Sequence, residues 1–263
     1  MTPPGPFASA MLWIVDLDGV IWLTGEPIGE VSSAVAALRS HGRRVVFATN
    51  NSAPTTEELR ARLERIGIDT PPEDLVSSAA AAASLLSPGC PVKVLAGAGV
   101  LEALEARQVK VVDQGPVDAA LVGWSRTFDF DTLADMAGAA RASGRLIGTN
   151  QDPTHPTPEG LVPGSGALLA AVATASGVVP EIAGKPHQPM ADLMMERFGF
   201  RTGDSSVVVV GDQPGTDGAL AVRLSVPFGL VDSGVTPAGS DGFDQPVAFR
   251  APDFVTLVER SLA

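Results

Sequence analysis

Two aspartates one residue apart, Asp16 and Asp18, follow the apolar run Leu12-Trp-Ile-Val15 and precede Gly19. Four apolar residues suit a strand buried on both faces. A parallel strand delivers its last residues to the carboxyl edge of the sheet, where open α/β folds place their ligands. Carboxylates crowded at such an edge repel one another unless a cation or a shared proton offsets them. Asp-Gly is also a good turn pair, so the motif alone leaves a plain strand end open. Two further apolar runs end in the same manner. Arg44-Val-Val-Phe-Ala-Thr49 leads into Asn50 and Asn51, small hydroxyl and amide groups suited to a polar ligand. Ser206-Val-Val-Val-Val210 leads into Gly211-Asp212, with Thr216-Asp217 shortly after. A short loop, Ile182-Ala-Gly-Lys-Pro186, presents Lys185 ahead of a helix. Brought together at one sheet edge, these are the parts that phosphoryl transfer needs. Three acids can hold a magnesium ion, Thr49 and Lys185 can hold phosphate oxygens, and a carboxylate can act as nucleophile.

The elements that must position these groups alternate between strand and helix at both ends of the chain. Strands are expected at 12–15, 44–49, 92–95, 119–122, 145–148, 206–210 and 226–231. Helices are expected at 31–40, from 54 to 67, at 77–86, after 97, and at 132–142, 167–175, 189–198 and 216–223. Residues 20–30 read as a loop, and 149–156 as a polar, proline-rich loop too irregular for an ordinary crossover. Breaks at Ser87-Pro-Gly-Cys-Pro91 and near 177–180 divide the chain into a core domain at 1–87, an inserted α/β domain at 88–178, and the rest of the core at 179–263. The fold class is α/β, a Rossmann-like parallel sheet with a second α/β unit inserted in the middle.

Composition bounds the functional classes. The chain has 263 residues, 45% hydrophobic and 18% charged, which describes a packed globular protein and not a disordered one. A net charge of −12 disfavours a nucleic-acid or anionic-membrane surface, and an anionic substrate would need a local cation. Lysine occurs only at Lys93, Lys110 and Lys185, so each is conspicuous. The single cysteine, Cys90, excludes an internal disulfide and fits a reducing compartment. With no signal-peptide pattern at the start and no apolar run long enough to span a bilayer, a cytoplasmic protein is expected. Gly97-Ala-Gly99 starts like a dinucleotide fingerprint, but Glu102 stands where the third glycine belongs.

Asp-Leu-Asp-Gly-Val, Thr-Asn-Asn, Gly-Lys-Pro and Gly-Asp-x4-Asp, in this order, resemble the haloacid dehalogenase superfamily of phosphatases. The long insertion, with Asn150-x-Asp152-Pro-x-His155-Pro and then Pro163-Gly-x-Gly166, is similar to the branch of NagD, p-nitrophenyl, pyridoxal and glycerol-phosphate phosphatases. The resemblance covers residues 12 to about 235. It implies the corresponding fold, with the insertion as a cap domain, and a magnesium-dependent hydrolysis of small phosphate monoesters through an aspartyl-phosphate.

Carried onto this sequence, the resemblance implies Asp16 as nucleophile and Asp18 as general acid, then general base. Magnesium would take the Asp16 carboxylate, the Asp18 backbone carbonyl and the Asp212 carboxylate. Thr49, Asn50 and Lys185 would bind the phosphoryl group, with Asn51 beside them. Asp217 would support the metal's waters or orient Lys185, and His155 would contact the substrate from the cap loop, with Asn150 and Asp152 in the same loop. His41 reads as a solvent-facing residue at a helix end, and His187 as a loop residue. Gln213 and Gly215 stand where the family often has Arg or Asn and an acid, and Ile28-Gly-Glu-Val31 lacks its usual Pro-Gly step. The expected partner is a small phosphorylated metabolite, and a homodimer stays open because caps of this type sometimes dimerise. Two alternatives stand beside this reading. A hydrolytic dehalogenase does not need the second acid, which Asp18 supplies. A catalytically idle phosphometabolite sensor does not need Asp16, Asp18, Lys185 and Asp212 all intact.

Overall fold

A computed structural model describes residues 5–157 and 160–263. Strand β1 (Leu12–Val15) is followed by a small antiparallel hairpin, β2 (Trp22–Leu23) and β3 (Glu26–Pro27). Next come α1 (Val31–Ser40), β4 (Arg44–Thr49), α2 (Thr56–Arg65), β5 (Leu75–Ser77) and α3 (Ser78–Ser84). Strand β6 (Pro91–Leu95), α4 (Ala98–Ala106), β7 (Lys110–Val111), β8 (Ala119–Val122), α5 (Phe130–Ser143) and β9 (Leu146–Gly148) continue the alternation. A second hairpin, β10 (Thr154–Thr157) and β11 (Gly160–Pro163), leads to α6 (Ser165–Ser176), β12 (Glu181–Ile182) and α7 (Gln188–Phe198). The chain closes with β13 (Val207–Gly211), α8 (Ala219–Leu224), β14 (Phe228–Val231), β15 (Phe249–Ala251) and α9 (Phe254–Leu262).

These elements form two compact units. The first comprises Met1–Thr49, Leu59–Val76 and Met194–Ala263. Its six-stranded sheet runs β15-β14-β13-β1-β4-β5, with β1 parallel to both β13 and β4. Strands β1 and β13 are buried at every position, as expected of near-continuous apolar runs covered on both faces. Helix α1 packs by its i, i+3, i+4, i+7 stripe of Val31, Ala34, Val35 and Leu38, and Gly42 follows it at φ +73°. The core gathers Trp13, Phe47, Leu63, Phe254 and Leu257. From β1 the chain builds outward to β4 and β5, then returns to build β13, β14 and β15 on the other side. That reversal between β1 and β13 is the topological switch point, where open α/β sheets bind ligands.

The second unit comprises Asn50–Glu58 and Ser77–Leu193. Its five-stranded sheet runs β12-β9-β8-β6-β7, with every neighbouring pair parallel. Leu95, Val122, Met136, Leu146 and Leu169 lie in its core. Asp129 caps α5, its Oδ1 accepting from Thr132 N at 2.8 Å and Thr132 Oγ at 2.7 Å, and these bonds hold its carboxyl below the usual carboxylate range. Gly144, left-handed at φ +68°, ends the helix. Residues 50–58, 77–87 and 179–193 thus pack with the inserted segment: β12 pairs with β9, and α3 packs on α4.

Several local structures differ from the sequence expectation. Residues 20–30 carry the β2–β3 hairpin, and the polar loop at 149–156 runs into β10. A single π-helical turn, Pro214–Gly218, replaces the start of the helix expected at 216–223. Beyond 231 the chain adds β15 and α9. Asp253 caps α9, its Oδ1 accepting from Thr256 N at 2.7 Å, and Phe254, Leu257 and Val258 are buried. No helix among the described residues is long and apolar enough to cross a membrane. Because Phe254 is fully buried, Phe254→Ala should destabilise the chain by about 3–5 kcal/mol. Asp253→Ala, which removes only the cap, should cost about 1 kcal/mol. Urea denaturation of the two variants checks this ordering.

Candidate active site

Strands β1 and β13 are hydrogen-bonded neighbours with Val15 opposite Val210, and Asp16 N–H donates to Val210 O at 2.9 Å. Asp16 and Asp212 therefore leave the same sheet edge from adjacent strands. The π-helical turn then carries Asp217 back beneath that edge, where its Oδ2 accepts from Gln213 N at 3.2 Å. As a result, carboxylate oxygens of Asp16, Asp212 and Asp217 all lie within 4.8 Å of one another. Their residues are 7%, 0% and 1% exposed, so water screens them poorly. Room for this crowding comes from glycines. A Cβ on Gly211 would overlap the Asp217 carboxylate, and one on Gly19 (φ +85°) or Gly234 would overlap that of Asp212. Val235 N–H donates to Asp212 Oδ2 at 2.6 Å.

Three buried carboxylates so close repel strongly when charged, in a chain already at −12. The donors are all hard oxygens, with no thiolate or imidazole among them. That set fits a divalent cation such as magnesium or calcium. Asp18 takes a different part: it is half-buried, and its Oδ1 accepts from Trp22 Nε1 at 2.9 Å. Gly19 N–H donates to Trp22 O at 2.7 Å, so Trp22 of β2 holds both Asp18 and Gly19. Thr49, the last residue of β4, is 2% exposed.

In the second unit Asn50 grips the backbone of Lys185 at two points. Its Oδ1 accepts from Lys185 N at 2.8 Å and its Nδ2 donates to Lys185 O at 3.1 Å. The carbonyl of Asn50 is fixed in turn, accepting from Ser78 Oγ at 2.6 Å and Asn150 Nδ2 at 2.7 Å. Gly184 N–H donates to Thr149 O at 2.8 Å, and a Cβ there would lie 2.5 Å from Asn50 Oδ1. Lys185 is 4% exposed and is followed by a cis peptide to Pro186. Asn50 thus serves the lysine with its side chain. Asn51 Oδ1 accepts from Ala53 N at 3.1 Å, closing an Asx turn.

His155, on β10, lies with its ring centroid 5.3 Å from that of Trp124. Trp124 Nε1 donates to Pro163 O at 3.1 Å, and the Arg126 guanidinium stands 5.8 Å from the Trp124 ring. Asn150 is buried and directed at Asn50, and its Oδ1 accepts from Asp152 N at 3.0 Å. His41 is exposed at the end of α1, its Nδ1 2.8 Å from Ala37 O. His187 N–H donates to Gly184 O at 2.8 Å. Sequence reasoning passed over Ser78, Trp124, Arg126, Gly234 and Val235. Trp124 follows β8 directly after Gly123, so the strand-end criterion that marked Asp16 would have marked it too. Removing the Asn50 side chain takes one hydrogen bond from the backbone N–H and one from the backbone C=O of buried Lys185. Asn50→Ala should therefore destabilise the chain by about 1–3 kcal/mol, measured by thermal or denaturant unfolding.

Known proteins share this fold. A family model described as haloacid dehalogenase-like hydrolase matches residues 13–110, and a second, described as HAD-hydrolase-like, matches 182–257. D-glycerol 3-phosphate phosphatase of Mycobacterium tuberculosis is 35% identical over 256 residues, spanning 95% of this chain and 70% of that protein. Acid sugar phosphatase of Staphylococcus haemolyticus is 31% identical over 227 residues, 85% of this chain and 86% of its own length. A crystal structure of glycerol phosphate phosphatase from M. tuberculosis in complex with magnesium superposes with a TM-score of 0.88 at 30% identity, covering 98% of this chain and 80% of that one.

Proposed function

We propose, from the premise that this chain belongs to the haloacid dehalogenase-like hydrolases and hydrolyses phosphate monoesters, that it does so with magnesium and through an aspartyl-phosphate on Asp16. The observation that carries the proposal is the buried cluster of Asp16, Asp212 and Asp217, with carboxylate oxygens within 4.8 Å, at the switch point of a parallel sheet. Asp16, the Asp18 carbonyl and Asp212 would hold magnesium, with Asp217 supporting them, and the ion would neutralise charge on the phosphoryl oxygens.

The chain's own groups supply the remaining chemistry. A carboxylate oxygen of Asp16 attacks phosphorus in line, and the bond from phosphorus to the ester oxygen breaks. Asp18, oriented by Trp22 Nε1 at 2.9 Å, gives its proton to the departing oxygen. The same carboxylate then takes a proton from water, whose oxygen attacks phosphorus and releases Asp16 and inorganic phosphate. Lys185 and Thr49 are proposed as the groups that hold phosphoryl oxygens, on the strength of their motifs. The amide of Asn50 contributes by fixing Lys185, and Asn51 by shaping the turn that follows. Small phosphorylated polyols and sugars are the proposed substrate class, since the relatives are named as a D-glycerol 3-phosphate phosphatase and an acid sugar phosphatase. His155 is proposed to contact the variable part of the ester. The inserted segment is proposed to act as the cap domain.

Asp16→Asn should abolish turnover of p-nitrophenyl phosphate while leaving the fold intact, because an amide does not attack phosphorus. Asp18→Asn should depress glycerol phosphate, whose alkoxide must be protonated, by at least tenfold more than p-nitrophenyl phosphate. Equal losses on the two esters would remove Asp18 from the general-acid role. Excess chelator should silence the wild-type chain on both esters and magnesium should restore it, whereas full activity without divalent cation would contradict the magnesium site.

A further inference from the structure

The acid Asp212 is held by a loop to which the reaction above gives no part, the segment that follows β14. Strands β14 and β15 are parallel neighbours at the sheet edge, Leu230 opposite Arg250 and Val231 opposite Ala251. Asp232 leaves β14 with its N–H donating to Ala251 O at 3.1 Å. Both of its carboxylate oxygens accept from Arg250 Nε, at 2.8 and 3.1 Å. The rest of the guanidinium reaches further along the same loop. One Nη donates to Ser240 O at 2.6 Å and the other to Pro237 O at 3.4 Å, with Asp241 3.7 Å away. A single side chain therefore ties Asp232, Pro237 and Ser240 to the edge strand.

The near end of that loop reaches the acids. Ser233 Oγ donates to the carbonyl of Gly19, at 2.7 Å, directly after the Asp-x-Asp pair. Gly234 passes so close to Asp212 that no Cβ fits between them. Val235 N–H then donates to Asp212 Oδ2 at 2.6 Å. The torsion that turns an aspartate carboxylate is broad, so a fixed N–H on one of its oxygens narrows the orientations it takes. A cation ligand that is already oriented loses less freedom when the ion binds.

We propose that Arg250 and Asp232 are positioning residues for Asp212, anchoring the 232–240 loop so that Val235 holds the Asp212 carboxylate in the orientation that binds the divalent cation. The inference rests on reading Asp16, Asp212 and Asp217 as that cation's site. It assigns to an ion pair at the edge of the sheet, with side chains 25% and 17% exposed, a role in metal affinity and not only in stability. The planar fork of Arg250 serves Asp232, Pro237 and Ser240 at once, which a lysine ammonium does not reproduce.

The test is calorimetric titration of the metal-free full chain with magnesium chloride, for wild type, Arg250→Ala, Arg250→Lys and Asp232→Asn. The control is Arg44→Ala, which removes another ion pair of the same unit, Arg44 to Asp74 at 2.6 Å, from the opposite end of β4. The expected result is a loss of magnesium affinity of about tenfold or more in Arg250→Ala and Asp232→Asn, a smaller loss in Arg250→Lys, and none in Arg44→Ala. At saturating magnesium, kcat should return to within about threefold of wild type, and the KM for p-nitrophenyl phosphate should stay unchanged. Should Arg250→Ala fail to fold, the shape-preserving Asp232→Asn decides the question. Wild-type affinity in the folded variants would overturn the inference while leaving the metal site standing, as would an equal loss in Arg44→Ala. A wild-type chain that binds no magnesium would overturn both.

Discussion

Mutual repulsion among Asp16, Asp212 and Asp217 is the constraint around which the first unit is built. Their carboxylate oxygens lie within 4.8 Å, in surroundings that are almost dry. No local sequence would fold that way for stability alone, since like charges in such a place favour unfolding. The fold accepts the arrangement because it is imposed from outside the site. Adjacent β1 and β13, zipped from Leu12 opposite Val207 to Val15 opposite Val210, deliver two of the acids. A π-helical turn delivers the third, and π-helical turns are rare and concentrate where function needs them. Gly19, Gly211 and Gly234 remove the Cβ atoms that would keep the acids apart.

The second unit solves a related problem for a cation. Lys185 is buried, in a short loop whose peptide groups need partners. Asn50 supplies them both, across 135 positions of sequence, and is itself fixed by Ser78 and Asn150. The amide is the one side chain that offers an acceptor and a donor at the spacing of a peptide N–H and C=O. Asn150, which sequence reasoning placed with the substrate-contacting loop, belongs to this support and leaves His155 as the residue that stands beside an aromatic ring.

How much of this was legible beforehand depended on whether the signal was local. The apolar runs of β1, β4 and β13 and the polar groups at their ends were readable, because burial on both faces leaves a continuous hydrophobic run and the strand end is where polar residues resume. Helix α1 was readable to its limits from its apolar stripe and Gly42. Helix α9, absent from the sequence expectation, does carry a local signal: Asp253 is a cap, and Phe254, Leu257, Val258 and Ser261 follow helical spacing after a long irregular stretch. Strand β15 was not readable, being three residues with Arg250 at its centre. The hairpins at Trp22–Leu23 and Thr154–Thr157 have too few residues for alternation to register. The Asn50–Lys185 bonds and the Val235–Asp212 bond carry no sequence signal, since each joins backbone to side chain across distant segments. The compact units also gather residues 50–58, 77–87 and 179–193 with the insertion, because contacts between distant elements, such as β12 on β9 and α3 on α4, and not composition decide where a segment packs.

If the acid cluster is built for a cation, the cation should reverse a destabilisation that the cluster causes. Thermal unfolding of wild type and Asp212→Asn, each in chelator and in excess magnesium, measures this directly. Wild type should gain stability with magnesium, by about 2.7 kcal/mol at a hundredfold excess over Kd. Asp212→Asn should match or exceed wild type in chelator, because one repelling charge is gone, and should gain little from magnesium. A wild-type chain equally stable in both solutions, or an Asp212→Asn chain that gains as much from magnesium as wild type, would contradict the cation site.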